Sequence, residues 1–354
     1  MPALPKPIPK IDYPAHLDLM WSKHKKARQP NAPTVVSLFS GCGGSSLGYS
    51  MAGYCERLAV EWNDPAVAVF KENFPDVPVW HGDIKKLSVN ECMDLARLSG
   101  PGELDLLDGS PPCQGFSLSG NRNISDSRNY LFKEYLRLLS GLKPKAIVIE
   151  NVPGLVFGKM RIVFAEIMRE LRNCGYIAAA RVVNAMYFHV PQSRRRLFII
   201  GADASKYDSI SHMQAESQPI SVLDGLKGVE DDGFPLSPIL SNIASSLKFG
   251  EGGEAVAGRS HWFNTKRLNP MLPCSPLLAG GGSCEVLHWS EQRKLGSCEC
   301  AAIASFPREF KWLGQPRTPL KLMGNCVPPL MAEAIGRHVR RTLLDGRELS
   351  LIHI

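Results

Sequence analysis

Apolar positions along the chain keep changing period, and the alternation begins at residue 34. An apolar run at 35–39 reads as a strand and stops at Ser40-Gly41-Cys42-Gly43-Gly44, a glycine turn. Residues 45–52 carry a helix-compatible pattern ending at Gly53, and 58–62 form a second short strand, so the segment is a βαβ unit. Further strands are expected at 104–107, 146–149 and 197–200, with helical stretches at 129–142 and 162–174 between them. Such alternation predicts an α/β fold: a Rossmann-like, doubly wound, mostly parallel sheet.

Past Gly201 the regularity fades into a stretch rich in Ser, Gly and Pro that reaches Gly280-Gly281-Gly282, and a smaller, irregular second domain is expected there. Order returns with a helix-like segment at 298–305 and a last helix after Pro328-Pro329. In that helix Met331, Ile335 and Val339 recur every fourth residue, and proline suits a helix start. The expected division is an arm at 1–33, the first part of the main domain at 34–203, the second domain at 204–292, a return to the main domain at 293–345 and a tail at 346–354.

Composition narrows the class. A chain of 354 residues with 44% hydrophobic and 21% charged residues is a folded chain, not a disordered one. No apolar run approaches the roughly 20 residues of a membrane span, and the Pro/Lys-punctuated start lacks a signal-peptide core, so no membrane role and a cytoplasmic location are expected. Ten cysteines without a secretory signal read as reduced thiols; with no CxxC pair, no metal is expected. The net charge of +7 favours an anionic partner without proving one. Part of it, Lys23, Lys25, Lys26 and Arg28, sits in the N-terminal segment, which reads as a solvated arm.

Ligands of a doubly wound sheet bind beyond the carboxyl ends of its strands, where the glycine turn 39–44 lies. Glu61 ends the second strand about 20 residues on, a position from which a carboxylate binds a ribose diol, and Trp62 beside it can pack on an adenine. The glycine spacing departs from GxGxxG, which favours a cofactor without phosphates. Asp83 in His81-Gly82-Asp83-Ile84 could contact adenine or simply cap a turn. The strand at 104–107 leads into Asp108-Gly109-Ser110-Pro111-Pro112-Cys113-Gln114-Gly115-Phe116-Ser117, where two prolines fix the backbone before a cysteine. A thiol on a strand-end loop facing a cofactor reads as a nucleophile, which needs exposure and a depressed pKa. Glu150, in Glu150-Asn151-Val152-Pro153, ends the strand at 146–149 and can hydrogen-bond or protonate a substrate; an ion-pair or capping role is the ordinary alternative. In Gln192-Ser193-Arg194-Arg195-Arg196, extended geometry puts Arg194 and Arg196 on one side.

Taken in order, the cofactor turn, Pro-Pro-Cys-Gln, Glu-Asn-Val, Gln-x-Arg-x-Arg and the closing Gly324-Asn325-Cys326-Val327-Pro328-Pro329 resemble the bacterial DNA (cytosine-5)-methyltransferases over residues 35–344. The resemblance implies a class I methyltransferase fold and S-adenosylmethionine as cofactor. It implies that Phe39, Gly41, Gly43, Glu61, Trp62, Asp83, Ile84, Pro112, Leu131 and Asn325 line the cofactor site, and that Cys113, Glu150, Arg194 and Arg196 handle the cytosine. It implies double-stranded DNA as partner, a flipped base, a covalent Cys113–C6 intermediate and a loop at 114–129 that closes over the site. Residues 204–292 correspond to the family's target-recognition domain. His261, Trp262, Asn264, Lys266 and Arg267 are candidate DNA contacts there, with Gln114, Ser117 and Ser119 on the loop. A monomer is expected, and any cognate restriction endonuclease would act separately; the sequence does not decide whether one exists.

The chain departs from the family pattern at Leu277, after Ser275-Pro276, where a hydroxyl is usual, at Cys298, where Arg usually precedes Glu, and in a short recognition stretch. The competing readings are a tRNA cytosine-5 methyltransferase and a catalytically silent DNA-binding module of the same fold.

Overall fold

In the computed structural model the described residues are 10–26, 28–112, 130–253, 255, 265–278, 286–315 and 317–345. The chain divides into two compact units. One gathers Lys26–Val183, Arg195–Met213 and Ala332–Ile354, the other Met1–Lys25, Asn184–Arg194 and Gln214–Met331.

The first of these, the sheet unit, is built on strands β1 (Thr34–Leu38), β2 (Cys55–Glu61), β3 (Val79–His81), β4 (Leu106–Gly109), β5 (Ala146–Asn151), β6 (Tyr176–Asn184) and β7 (Arg195–Asp203), in the order β3-β2-β1-β4-β5-β7-β6. The pairs β1·β2, β1·β4, β2·β3 and β4·β5 are parallel, whereas β5·β7 is antiparallel. The mostly parallel α/β sheet expected from the sequence is therefore present, with β7 reversed. Period two along each strand sends alternate side chains to opposite faces. Val36 and Leu38, Leu107, Ile147 and Ile149 join the core cluster that also holds Leu138 and Leu142 of helix α5 (Tyr130–Leu142) and Ile167 and Leu171 of α6 (Arg161–Asn173). The central strands are buried on both faces, which is why they read as continuous apolar runs.

Helix α2 (Gly44–Met51) connects β1 to β2, and α3 (Asp64–Asn73) connects β2 to β3; Asn63 caps α3 by accepting the Ala66 N–H at 3.1 Å. Helix α4 (Val89–Leu95) precedes β4.

The second unit has little regular structure among its described residues. Its helices are α1 (Tyr13–Lys25), α7 (Val222–Gly225), α8 (Pro238–Ser246), α9 (Ser297–Ile303) and α10 (Arg317–Asn325), and α11 (Pro329–Val339) starts in it. Among its described residues the strands β8 (Phe234–Pro235), β9 (Lys266–Arg267), β10 (Val286–Leu287) and β11 (Arg293–Lys294) are two residues long and lie in the order β8-β11-β10-β9. Leu240, Ile243, Ala244 and Leu247 of the α8 region pack with Leu287 in a small separate core.

The N-terminal segment corrects the solvated-arm reading. Tyr13, Leu17, Met20 and Trp21 follow one another at helical spacing, and all are buried in α1; the Tyr13 hydroxyl donates to the Ala302 carbonyl at 2.5 Å. Lys23 and Lys25 occupy other positions of the same helix, and Lys26 follows its end. No helix among the described residues is long and apolar enough to cross a membrane.

Candidate active site

In the sheet unit the carboxyl ends of β1 and β2 form the first half of the site. Phe39, Gly41 and Gly43 all have positive φ, at 58°, 58° and 94°. At Gly43 an added Cβ would run into the Phe74 ring, so both conformation and space demand glycine. At Gly41 an added Cβ would meet nothing within 4 Å, which leaves an open face above the turn. Glu61 is 8% exposed, and its carboxylate is held by three backbone donors: Oε2 accepts Gly41 N–H at 2.8 Å, and Oε1 accepts the N–H groups of Trp62 and Asn63, each at 2.9 Å. Of the roughly four lone-pair positions of a carboxylate, one remains for a hydroxyl donor. Trp62 beside it is 74% exposed. An open glycine face, a fixed carboxylate and an exposed indole suit a nucleoside with a free ribose diol.

Asp83 caps the short helix Ile84–Lys86 by accepting the Lys85 N–H at 3.1 Å, the local role the sequence left open, while Ile84 is buried. Leu131 packs against the main core. Pro112 is exposed at the end of β4's extension, and the neighbouring Pro111 carbonyl accepts Asn151 Nδ2–H at 3.1 Å, which ties this segment to the Glu-Asn-Val end of β5. Cys113, Gln114, Ser117, Ser119 and the rest of the expected closing loop lie outside the described residues, as do His261, Trp262 and Asn264.

Glu150 is the last residue but one of β5, with its side chain 14% exposed, and Arg196 Nε lies 3.0 Å from its Oε1. Glu150 and Phe198 face each other in the antiparallel β5·β7 register, so the reversed strand delivers this guanidinium.

Arg194 does not share that role. It belongs to the second unit and is 2% exposed; Nη1 donates to the Leu277 carbonyl at 3.0 Å and Nη2 to the Gly324 carbonyl at 2.8 Å. Gln192 accepts the Leu277 N–H at 3.3 Å, and Ser193 N–H donates to the Cys274 carbonyl at 2.8 Å. The motif thus gathers 274–277 and the Gly-Asn-Cys segment within one unit, and holds the exposed Asn325 next to Gly324. Leu277 is 1% exposed, so the residue that replaces a hydroxyl faces inward.

Arg267 also differs from the expectation of a DNA contact. Its guanidinium donates to the Trp289 carbonyl at 3.0 and 2.7 Å and to the Leu247 carbonyl at 2.8 Å, so its fork braces loops. Lys266 is half-buried on the same strand. A third brace escaped sequence reasoning: Arg293 pairs with both oxygens of buried Glu299, at 2.7 and 3.0 Å, and with Glu291 at 2.8 Å. Alternating charges at 291, 293 and 299 were the only signal.

Cys298, whose N–H donates to Asp232 at 2.9 Å, has its thiol pushed up to about 11 by burial and by Asp232, which favours the neutral thiol. It lines a cavity of about 540 Å³ in this unit together with Tyr13, Phe306 and Trp312, and no expected site residue borders that cavity. Among the described residues no cluster of three His, Cys, Asp or Glu side chains could hold a metal ion.

Comparison with known proteins gives a consistent answer. The family model described as C-5 cytosine-specific DNA methylase matches residues 33–231 and 241–341. The chain is 29% identical to the type II methyltransferase M.DdeI of Desulfomicrobium norvegicum, over 86% of this chain and 88% of that protein. It is 30% identical to the type II methyltransferase M.NgoFVII of Neisseria gonorrhoeae, over 91% and 90%. A solved structure described as a DNA modification methyltransferase encoded within an E. coli prophage superposes with a TM-score of 0.75 at 25% identity, covering 89% of this chain and all of that one.

Proposed function

Because the chain belongs to the C-5 cytosine-specific DNA methylase family, we propose that Cys113 is its nucleophile, that Glu150 and Arg196 act on the cytosine ring, and that Arg194 holds the second unit's loops in place. The protein is a DNA (cytosine-5) methyltransferase whose methyl donor is S-adenosylmethionine.

The open turn at Gly41, the carboxylate of Glu61 and the exposed Trp62 fit the adenosine part of that donor, and the absence of a GxGxxG phosphate cradle agrees with a cofactor that carries no phosphate. Phe39, Gly43, Asp83, Ile84, Pro112, Leu131 and Asn325 complete the assignment. Bound there, the cofactor supplies an electrophilic methyl group to C5 of the cytosine.

The residues of the chain make C5 able to accept it. The target cytosine leaves the duplex, since neither ring face is reachable inside the stack. The Cys113 thiolate forms a bond to C6, which moves the C5–C6 electron pair onto C5 and breaks the aromaticity. Glu150, at N3 and the exocyclic amine, offsets the charge that develops on the ring, and Arg196 orients it from 3.0 Å. A base then removes the C5 proton, the C6–S bond breaks, and the thiolate is restored.

The Glu150–Arg196 pair at the end of β5 is the observation that carries this reading. It holds a carboxylate at a strand terminus, where a doubly wound sheet binds its ligands. Lys266 on β9 is assigned to DNA, with the loop residues Gln114, Ser117 and Ser119. The type II methyltransferases among the relatives suit a modification enzyme that works beside a separate restriction endonuclease; a cytoplasmic monomer is part of the same proposal.

The test is nucleoside mass spectrometry with bisulfite sequencing of plasmid DNA from a methylation-deficient host expressing wild type or Cys113→Ser. 5-Methylcytosine in one sequence context, lost in the variant by about 10³-fold or more, is the expected result. Methylation that persists in Cys113→Ser removes the nucleophile assignment, and methylation found only in tRNA moves the substrate.

A further inference from the structure

Period two on the strands turns Ser37 of β1 and Asp108 of β4, which face each other in register, away from the face that carries Leu38 and Leu107. On their side lies a buried polar layer. Asp108 is 3% exposed, and the Tyr49 hydroxyl of α2 donates to its Oδ1 at 2.8 Å; the Ser45 hydroxyl and the Gly109 N–H also lie beside the carboxyl.

The Tyr49 ring has no room to swing away. It is 1% exposed, packs edge-on to Tyr54 at 5.7 Å, and fits against Gly336, where an added Cβ would stand 2.8 Å from the ring. Tyr54 in turn donates to the Gly336 carbonyl at 2.9 Å. Gly109, next to Asp108, lies directly against the Tyr135 ring, so β4 is clamped from the other side. The hydrogen bond therefore joins two fixed bodies. One is the helix that begins at the cofactor turn. The other is the strand that ends four residues before Cys113.

We propose that Asp108 is a positioning residue for methyl transfer: through Tyr49 it fixes α2, and with it the cofactor turn, against the strand that leads to the nucleophile. The proposal rests on the assignment of the glycine turn and Cys113 given above. Nothing in the chemistry of the cytosine requires an acid here. A strand end buried on both faces would hold an apolar residue more cheaply, since a buried carboxyl needs partners to offset its desolvation.

Burial pushes the Asp108 carboxyl up to about 7, with the charge of Glu150 on β5 adding to the rise and Tyr49 opposing it. Glu56 of β2 and Tyr135 of α5 are the other titratable groups that feel it. Asp108 thus changes charge near neutrality, and the ionised carboxylate is the stronger acceptor for Tyr49.

Calorimetric binding of S-adenosylhomocysteine and single-turnover methyl transfer to plasmid DNA test this on the full chain. Tyr49→Phe keeps the ring and removes the donor; affinity and transfer rate are each expected to fall about tenfold, the worth of one buried hydrogen bond to a charged group. Asp108→Asn keeps an acceptor for Tyr49, so affinity at neutral pH stays within about twofold, while the rise in affinity expected of wild type between about pH 6 and about pH 8 is lost. Tyr49→Phe with wild-type affinity and rate overturns the proposal, whatever its melting temperature. If that variant does not fold, an Asp108→Asn protein with the wild-type pH dependence of affinity overturns it. Wild type that binds S-adenosylhomocysteine and leaves DNA unmethylated defeats the assignment of Cys113 and leaves the affinity comparison standing.

Discussion

The two units reach rigidity by different means. In the sheet unit, strands such as Ala146–Asn151 pair along their whole length and are buried on both faces, so backbone ladders and apolar packing hold Glu61 and Glu150 at strand ends. In the second unit the strands are two residues long and the small core has a handful of side chains, so guanidinium forks do the joining: Arg194 on Leu277 and Gly324, Arg267 on Trp289 and Leu247, Arg293 on Glu299. A ladder satisfies each backbone group locally, whereas loops leave buried carbonyls that need a donor from elsewhere. Arginine supplies several donors in a fixed plane, which makes it the residue of choice for that task.

The comparison is easiest to break at Arg194. Arg194→Ala leaves two buried carbonyls without their donor and opens a cavity, a loss of about 3–5 kcal/mol that thermal unfolding should register; Arg194→Lys should recover little of it because one ammonium cannot reproduce the fork. A restoration by Lys would show that charge alone, not the fork, matters.

Ile147→Ala in the sheet should cost about 2–5 kcal/mol and lower the unfolding transition as a whole, since the residue sits in the main core. Arg267→Ala should cost less, about 1–3 kcal/mol, and hydrogen exchange should rise around 247–251 and 286–294 while β4 and β5 stay protected. Equal deprotection of β4 and β5 would mean that the braces stabilise both units alike.

The smallest effect expected is on the pH dependence of stability, and it belongs to the sheet unit. Burial pushes Glu56 up to about 8 and Asp108 up to about 7, so the folded protein keeps protons that the unfolded chain releases above its ordinary carboxylate range. Stability from these two groups is full in acid and is lost as pH rises from about 4 to about 8. Burial depresses His212 to about 4, and its contribution has the opposite sign: present above the unfolded value of 6.5 and lost as pH falls towards 4. Denaturant unfolding of Glu56→Gln across this range should show a shallower decline on the alkaline side. A slope identical to wild type would mean that Glu56 does not change protonation on unfolding. The hydroxyls of Ser37 and Ser46 lie beside the Glu56 carboxyl and oppose the rise, which burial outweighs.

Much of the sheet unit is legible in the sequence. The glycine turn, the Glu61 position, the strand ending in Glu150 and helices α5 and α6 are local patterns, in which period and turn chemistry agree over a few residues. Helix α1 was legible as well, in the spacing of Tyr13, Leu17, Met20 and Trp21, but its prolines and lysines drew the reading towards an arm. The reversal of β7 left no trace in the chain, because strand direction is a property of the neighbour and not of the strand. Arg194 and Arg196, two residues apart and alike in sequence, proved to belong to different units with different partners.

What the amino-acid sequence determined by itself is therefore the kind of sheet, the places where its strands end and the reactive groups placed there, since each depends on neighbours a few residues away. What only the tertiary structure decided is the work of the arginines and of Asp108. Their partners lie 83 and 130 residues along the chain from Arg194, and 59 residues from Tyr49 to Asp108. No local period records a hydrogen bond between atoms that only folding brings within 3 Å.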